Sequence, residues 1–209
     1  MSVIFETSPA AVASEALGQL GRAPITDLDD TDDPVAVQCK QYFVSLLRAM
    51  LRDHPWNFAK DRVQLAQNAT APISDWTYAY ALPADCFRVL QVNNDSRSTS
   101  VQSGPPVWPT FRYPKWEIEG RNLLTDESTV IIEYIKWVDD PNIWDGMFHQ
   151  AFVTFLAVRL APALNTDKEK ASDLFKLYQM QLLDAKAVDG QENPTEQMTC
   201  SFLTDDIRE

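Results

Sequence analysis

The spacing of apolar residues changes twice along this chain, and that change constrains the fold more than any other feature. Before residue 56 and after residue 140, apolar side chains recur every three or four positions, which is typical of amphipathic helices. Between about residues 62 and 139 they alternate with polar ones, which is typical of strands. The pattern predicts an α+β fold: a helical bundle formed by N- and C-terminal helices, an inserted antiparallel β domain and an extended C-terminal arm. The expected boundaries are 1–61 and 140–188 for the helical domain, 62–139 for the β domain and 189–209 for the arm.

Helix starts and stops are marked by specific residues. Ser8 and Asp33 each precede a proline, and a capping residue followed by proline at the first helical position is typical of a helix start. Gly21 and Pro55 are expected to end these two helices. The run Thr166–Glu169 has the capping-box pattern of a last helix. One face of that helix is predicted to carry Leu174, Leu177, Tyr178, Leu182 and Ala185.

The helix expected after Pro141 is apolar on almost every side, so we expect it to lie at the centre of the bundle. Strands separated by short turns favour a small antiparallel sheet or barrel. The predicted strands are Arg62–Gln67, Trp76–Leu82, Phe87–Val92, Lys115–Glu119, Arg121–Thr125 and Thr129–Val138. Four tryptophans on these elements are predicted to be core residues: Trp56, Trp116, Trp137 and Trp144.

Composition excludes several classes of protein. The 209 residues include 18 basic and 30 acidic side chains, giving a net charge of −12, whereas a protein that grips nucleic-acid phosphates needs a basic surface. Three scattered cysteines, Cys39, Cys86 and Cys200, fit neither a disulfide framework nor a thiolate metal cage and indicate a reducing compartment. The N-terminus lacks the pattern of a secretory signal, and the longest apolar stretch is too short to span a bilayer. We therefore expect a soluble protein without a membrane partner.

One pair of residues is a candidate for catalytic chemistry. Asp145 and His149 are four residues apart on a predicted helix, where a carboxylate can orient an imidazole as a general base, so a small hydrolase is an alternative. No nucleophile motif accompanies the pair, and a structural polar stripe is the preferred interpretation. The acidic run Asp27–Asp33 lacks the glycine and glutamate of a calcium-binding EF-hand loop. We predict a protein that is not an enzyme and has no catalytic, cofactor-binding or metal-binding residues.

Two segments are candidates for contacts with partners. The loop Asn93–Pro114 is rich in Ser, Asn, Gly and Pro, and its rings Trp108 and Phe111 are predicted to form a contact surface. In the C-terminal arm, Phe202 and Leu203 are predicted to anchor the chain on a partner or on an adjacent subunit.

Three stretches carry a resemblance to a known family. The first is Ala36-Val37-Gln38-Cys39 followed by Leu46–Leu51, Pro55–Ala59 and Arg62–Leu65. The second is Ala16–Gly21 with Pro24-Ile25, and the third is Tyr80–Leu90. Together they resemble the head-to-tail adaptors of tailed phages, best known from the tail tubular protein A family of short-tailed phages. The likeness covers about residues 10 to 186.

The resemblance implies a structural protein of the virion, made in the host cytoplasm and placed at the head–tail junction. A ring of twelve subunits would join the portal protein to the tail nozzle protein and continue the channel for DNA ejection. Genomic DNA would pass without specific binding, because acidic side chains along the channel would repel phosphate. Within the same class, a head-completion or stopper protein is the alternative. A decoration protein on the capsid shell is a further possibility, alongside the hydrolase.

Overall fold

The computed structural model describes residues 7–92 and 115–192, which form an α+β fold. The helices are α1 (Pro9–Gln19), α2 (Pro34–Asp53), α3 (Gly146–Leu160) and α4 (Lys168–Glu192). The strands are β1 (Lys60–Gln64), β2 (Tyr78–Ala81), β3 (Cys86–Val92), β4 (Trp116–Glu119), β5 (Asn122–Thr125) and β6 (Ile131–Lys136). Short 3-10 turns, Asn57–Ala59 and Pro141–Ile143, precede β1 and α3. The predicted fold class is confirmed.

The first two helices begin and end where the sequence predicts. The Ser8 hydroxyl accepts a hydrogen bond from the Ala11 N–H (3.1 Å). The Asp33 carboxylate accepts one from the Val35 N–H (2.8 Å). Each cap therefore satisfies one of the backbone donors that a helix start leaves without an intrahelical partner. Gly21 has φ of +72°, the left-handed conformation that ends α1.

Helix α3 is the centre of the bundle, as its uniform apolarity predicts. Phe148, Phe152 and Leu156 are fully buried, and α1, α2 and α4 all pack against it. Phe152 meets the ring of Phe43 on α2 edge-on, with centroids 4.9 Å apart. Such edge-to-face contacts suit the quadrupoles of the two rings.

The β region consists of two three-stranded antiparallel sheets, one ordered β1-β6-β3 and the other β2-β5-β4. Their facing sides form one core in which Ile132 and Tyr134 of β6 meet Tyr80 of β2 and Leu123 of β5. The predicted first strand, Arg62–Gln67, is observed as Lys60–Gln64. Its last residues instead cross between the sheets, because Gln67 forms an isolated bridge with Tyr80.

The other side of the first sheet packs against the helices. Ile135 of β6 is fully buried in the helical core, and Phe87 of β3 packs against the same core. The Arg48 guanidinium of α2 lies 5.7 Å from the centroid of the Trp137 ring, just after β6. The molecule therefore has three layers: helices, the β1-β6-β3 sheet and the β2-β5-β4 sheet.

Two sequence predictions need correction here. The start of α4 is capped by Asp167, which accepts a hydrogen bond from the Glu169 N–H (3.3 Å), and not by Thr166, because α4 begins only at Lys168. Trp116 is not a core residue: the side chain is 36% exposed, since β4 is an edge strand whose residues are all exposed.

Candidate interaction surfaces

The inner face of α4 is fixed by contacts with α3. Leu174 and Ala185 are buried, and the Tyr178 ring stacks on Phe155 with centroids 4.3 Å apart. Burial, and then the nearby carboxylate of Asp53, raises the pKa of Tyr178 to about 12. Of the five residues predicted to share one face of this helix, Leu177 does not lie on the side that α3 buries, since it is 41% exposed.

The C-terminal end of α4 is held by a polar cluster at the end of α2. The Asp189 carboxylate, only 6% exposed, lies 2.9 Å from Nε2 of His54 and accepts a hydrogen bond from the Asn57 N–H (2.8 Å). The amide side chain of Asn57 donates to the Asp189 carbonyl (2.7 Å). One turn earlier, Lys186 forms a salt bridge with Asp53 (2.6 Å).

This cluster moves the expected boundary of the C-terminal arm. Asp189 was expected to begin the arm, yet it is a buried residue of α4, which continues to Glu192. The physical reason is the pairing with His54 and Asn57, which lie 135 and 132 positions earlier in the chain. A polar residue near the end of a periodic pattern gives no sign of such partners.

The outer side of α4 carries an apolar stripe. Leu177, Met180 and Leu183 are 41%, 64% and 68% exposed. Their spacing of three places them along one side of the helix, and Ala187, also exposed, continues that side. We call these four residues the α4 stripe. Adjacent large apolar side chains exposed together on one helix are typical of an interaction surface.

The outer side of α2 has a different chemistry. Val37 and Val44 are 45% and 40% exposed, and Lys40, Arg48 and Arg52 are exposed around them. We call these five residues the α2 face. The other exposed charged residue of α2, Asp53, already pairs with Lys186. The α2 face is therefore basic and apolar, in a chain whose net charge is −12.

The Asp145–His149 pair does not have the geometry of a catalytic dyad. The Asp145 carboxylate is the N-cap of α3 and accepts hydrogen bonds from the Met147 (2.8 Å) and Phe148 (3.2 Å) N–H groups. The His149 ring instead has Nε2 3.5 Å from the carboxylate of Glu15 on α1, too long for a good hydrogen bond. Asp145 serves as a cap, and this also explains why α3 begins at Gly146.

The acidic run before α2 acts as a link and a cap. The carboxylates of Asp27 and Asp30 accept hydrogen bonds from the N–H groups two residues later (2.9 Å each), while Asp29 pairs with Lys40 (2.6 Å). Across residues 7–92 and 115–192, no group of three His, Cys, Asp or Glu side chains is arranged to hold a metal ion. Cys39 and Cys86 are buried free thiols.

The four residues predicted to contact partners, Trp108, Phe111, Phe202 and Leu203, lie outside the described residues. The α4 stripe is not among the sequence predictions, which group Leu177 with Leu174 and Ala185 on one face and assign Met180 and Leu183 to no face. A signal was present, since Leu177, Met180 and Leu183 follow one another at helical spacing. It was masked because apolar residues occur on nearly every side of α4.

Comparisons with known proteins give no family for the chain. No protein-family model matches it, and no curated protein matches it. Among the described helices, none combines the length and the apolar content that a bilayer crossing requires.

Proposed function

We propose that this protein is a structural head-to-tail adaptor of a tailed phage, a subunit of a ring between portal and tail nozzle that continues the DNA channel. The α4 stripe carries the proposal. A helix that packs one side on α3 and presents Leu177, Met180 and Leu183 to solvent on another is typical of a subunit that buries the second side on assembly.

The layering of the fold supports the same proposal. A ring with cyclic symmetry needs two different surfaces on each subunit, one for each neighbour, and further surfaces for portal and nozzle. The helical layer supplies the α4 stripe and the α2 face, while the outer sheet supplies a separate surface at β4. On β4, Trp116 and Ile118 are 36% and 43% exposed.

Electron microscopy of the purified chain tests this function directly. The chain is imaged alone and after mixing with the portal ring of its own virion. We expect closed rings coaxial with the portal, twelve-fold in symmetry. Binding to the capsid shell lattice without closed rings would instead indicate a decoration protein. If the chain does not bind the portal ring, the proposal is wrong.

Dye release through portal complexes separates an adaptor from a stopper. An adaptor ring leaves the channel open, so a dye enclosed on one side should pass through at the rate measured with the portal alone. A head-completion protein that plugs the channel would stop the dye.

The charge of the channel wall needs a separate experiment. Neutralising the acidic residues that microscopy places on that wall should slow the passage of DNA, because the wall would no longer repel phosphate. Unchanged passage of DNA would contradict this role of the acidic residues.

The substitution His149→Gln distinguishes a structural subunit from the alternative, a small hydrolase. A structural subunit should assemble on portal rings as the unchanged chain does, because the His149 ring makes a long contact with Glu15 (3.5 Å) and lies beside the Trp144 ring (6.3 Å between centroids), and Gln can occupy the same space. Loss of a measured hydrolytic activity with assembly intact would favour the enzyme.

A further inference from the structure

We infer that the α4 stripe of one subunit packs against the α2 face of the next copy of this chain. The inference deepens the proposed function and rests on it, because it names the two surfaces through which the subunits of a ring would meet. Such a contact is heterologous: the two surfaces differ, and each subunit uses one of them toward each neighbour.

The apolar parts of the two surfaces suit each other. On α4, Leu177, Met180 and Leu183 project at a spacing of three residues, and on α2, Val37 and Val44 project at a spacing of seven. Both spacings return to one side of a helix, so each surface is a row of protruding side chains. Rows of this kind pack ridges into grooves when two helices cross.

Charge favours this pairing over the pairing of two α2 faces. The exposed charged residues of the α2 face are all basic: Lys40, Arg48 and Arg52. Two copies of that face would bring like charges together, which costs free energy in a desolvated contact. Two exposed carboxylates lie beside the α4 stripe: Asp184 next to Leu183, and Asp173 one turn before Leu177, where it already pairs with Lys176 (3.1 Å). Asp184 therefore complements Arg48 and Arg52 of the α2 face, whereas Lys40 is already paired with Asp29 (2.6 Å).

Two variants, each changed on one surface, test the inference. Met180→Glu with Leu183→Glu disables the α4 stripe, and Val37→Glu with Val44→Glu disables the α2 face. All four positions are at least 40% exposed, so the folded subunit should keep its stability, which urea denaturation checks. Ile73→Glu is the matched control, because Ile73 is fully exposed in the loop between β1 and β2 and belongs to neither surface.

The decisive measurement is on a one-to-one mixture of the two variants. Each variant alone should lose self-association by about tenfold or more in dissociation constant, since a charge would be buried in the contact. In the mixture, the intact α2 face of one variant meets the intact α4 stripe of the other. Sedimentation should therefore show a dimer with twice the mass of one chain and nothing larger. On portal rings, the mixture should deposit pairs where the unchanged chain completes a ring.

Other outcomes would overturn the inference. A symmetric contact between two α4 stripes predicts that the α2-face variant alone still dimerises and that mixing adds nothing. A mixture that stays monomeric in solution and binds portals only as single subunits also overturns it. These results are separate from the proposed function: if the unchanged chain and Ile73→Glu still form rings on portal, only the assignment of surfaces has failed.

Discussion

At the scale of single residues, a buried carboxylate near the end of α4 connects the two helical parts of the chain. Asp189 is 6% exposed and contacts His54 and Asn57 at the end of α2. A buried carboxylate is tolerated only where partners replace its lost hydration. Asp189 therefore ties the last turns of α4 to the first half of the chain. The stripe on the outer side of α4 is held in place through that tie.

Replacing Asp189 with alanine should destabilise the fold. The change leaves the Asn57 N–H and the His54 ring without their buried acceptor, a loss of about 2 kcal/mol in the free energy of unfolding. Urea denaturation followed by circular dichroism measures it. Asp184→Ala, on the same helix but exposed, is the control and should change stability by less than about 0.5 kcal/mol. Equal effects of the two substitutions would show that the cluster contributes nothing.

A second residue-scale prediction concerns pH. Burial, and then the carboxylate of Asp33, raises the pKa of the Cys39 thiol from 9.0 to about 11. Above pH 9 the unfolded chain releases the thiol proton while the folded chain keeps it, so the unfolded state binds fewer protons. The free energy of unfolding therefore falls as pH rises from about 9 to about 11.

Cys39→Ala isolates this contribution. Between pH 8 and pH 10 the unchanged chain should lose about 1 kcal/mol more stability than the variant, whose alanine does not titrate. Urea denaturation at intervals of half a pH unit measures both profiles. The tyrosines titrate in both chains, so they do not affect the difference between the two stability profiles. Parallel profiles for the two chains would contradict the buried, protonated thiol.

At the scale of elements, local signals predicted the starts of helices well and their environment poorly. Ser8 and Asp33 cap α1 and α2 as their side-chain chemistry dictates, since the capping bond needs only residues two or three positions away. The buried side of α4 depends instead on where α3 lies, which no local pattern contains. For this reason the sequence pattern groups Leu177 with Leu174 and Ala185 and does not distinguish the exposed Met180 and Leu183 from buried residues.

Replacing glycine with alanine should have opposite effects on stability at two positions near the end of α1. Gly21 has φ of +72°, and the motif is completed by N–H bonds from Arg22 to the Leu17 carbonyl (2.9 Å) and from Gly21 to the Gly18 carbonyl (3.0 Å). Gly21→Ala should cost about 1 kcal/mol of stability, because an L-residue is strained in that conformation. Gly18→Ala, inside the helix, should add about 0.5 to 1 kcal/mol.

The two glycine substitutions serve as controls for each other. A Cβ at either glycine meets no atom within 4 Å, so neither substitution changes packing and only the backbone conformation differs. Thermal unfolding of both variants beside the unchanged chain measures the two shifts. A gain in stability from Gly21→Ala would contradict the left-handed helix end.

At the scale of the whole molecule, the order of helical and β segments was predictable and the layering was not. Periodicity placed the β region between two helical parts, because helices and strands differ in the spacing of their apolar residues. The division into two sheets depends on β6, which pairs with β1 and β3 rather than with β5, the strand before it in the sequence. It also depends on Ile135, which joins the helical core although it belongs to a strand. Such pairings link distant residues, and spacing along the chain does not record them.

Two truncations test how the C-terminal segment serves the whole molecule. A chain ending at Glu192 keeps all of α4, so its stability should equal that of the unchanged chain within about 0.5 kcal/mol. It lacks Phe202 and Leu203, which we expect to anchor the subunit, so binding to portal rings should be lost. A chain ending at Val188 lacks Asp189 as well and should unfold more easily by at least about 2 kcal/mol. Urea denaturation measures stability, and co-sedimentation with portal rings measures docking. If the chain ending at Glu192 docks as well as the unchanged chain, assembly depends on the folded layers alone.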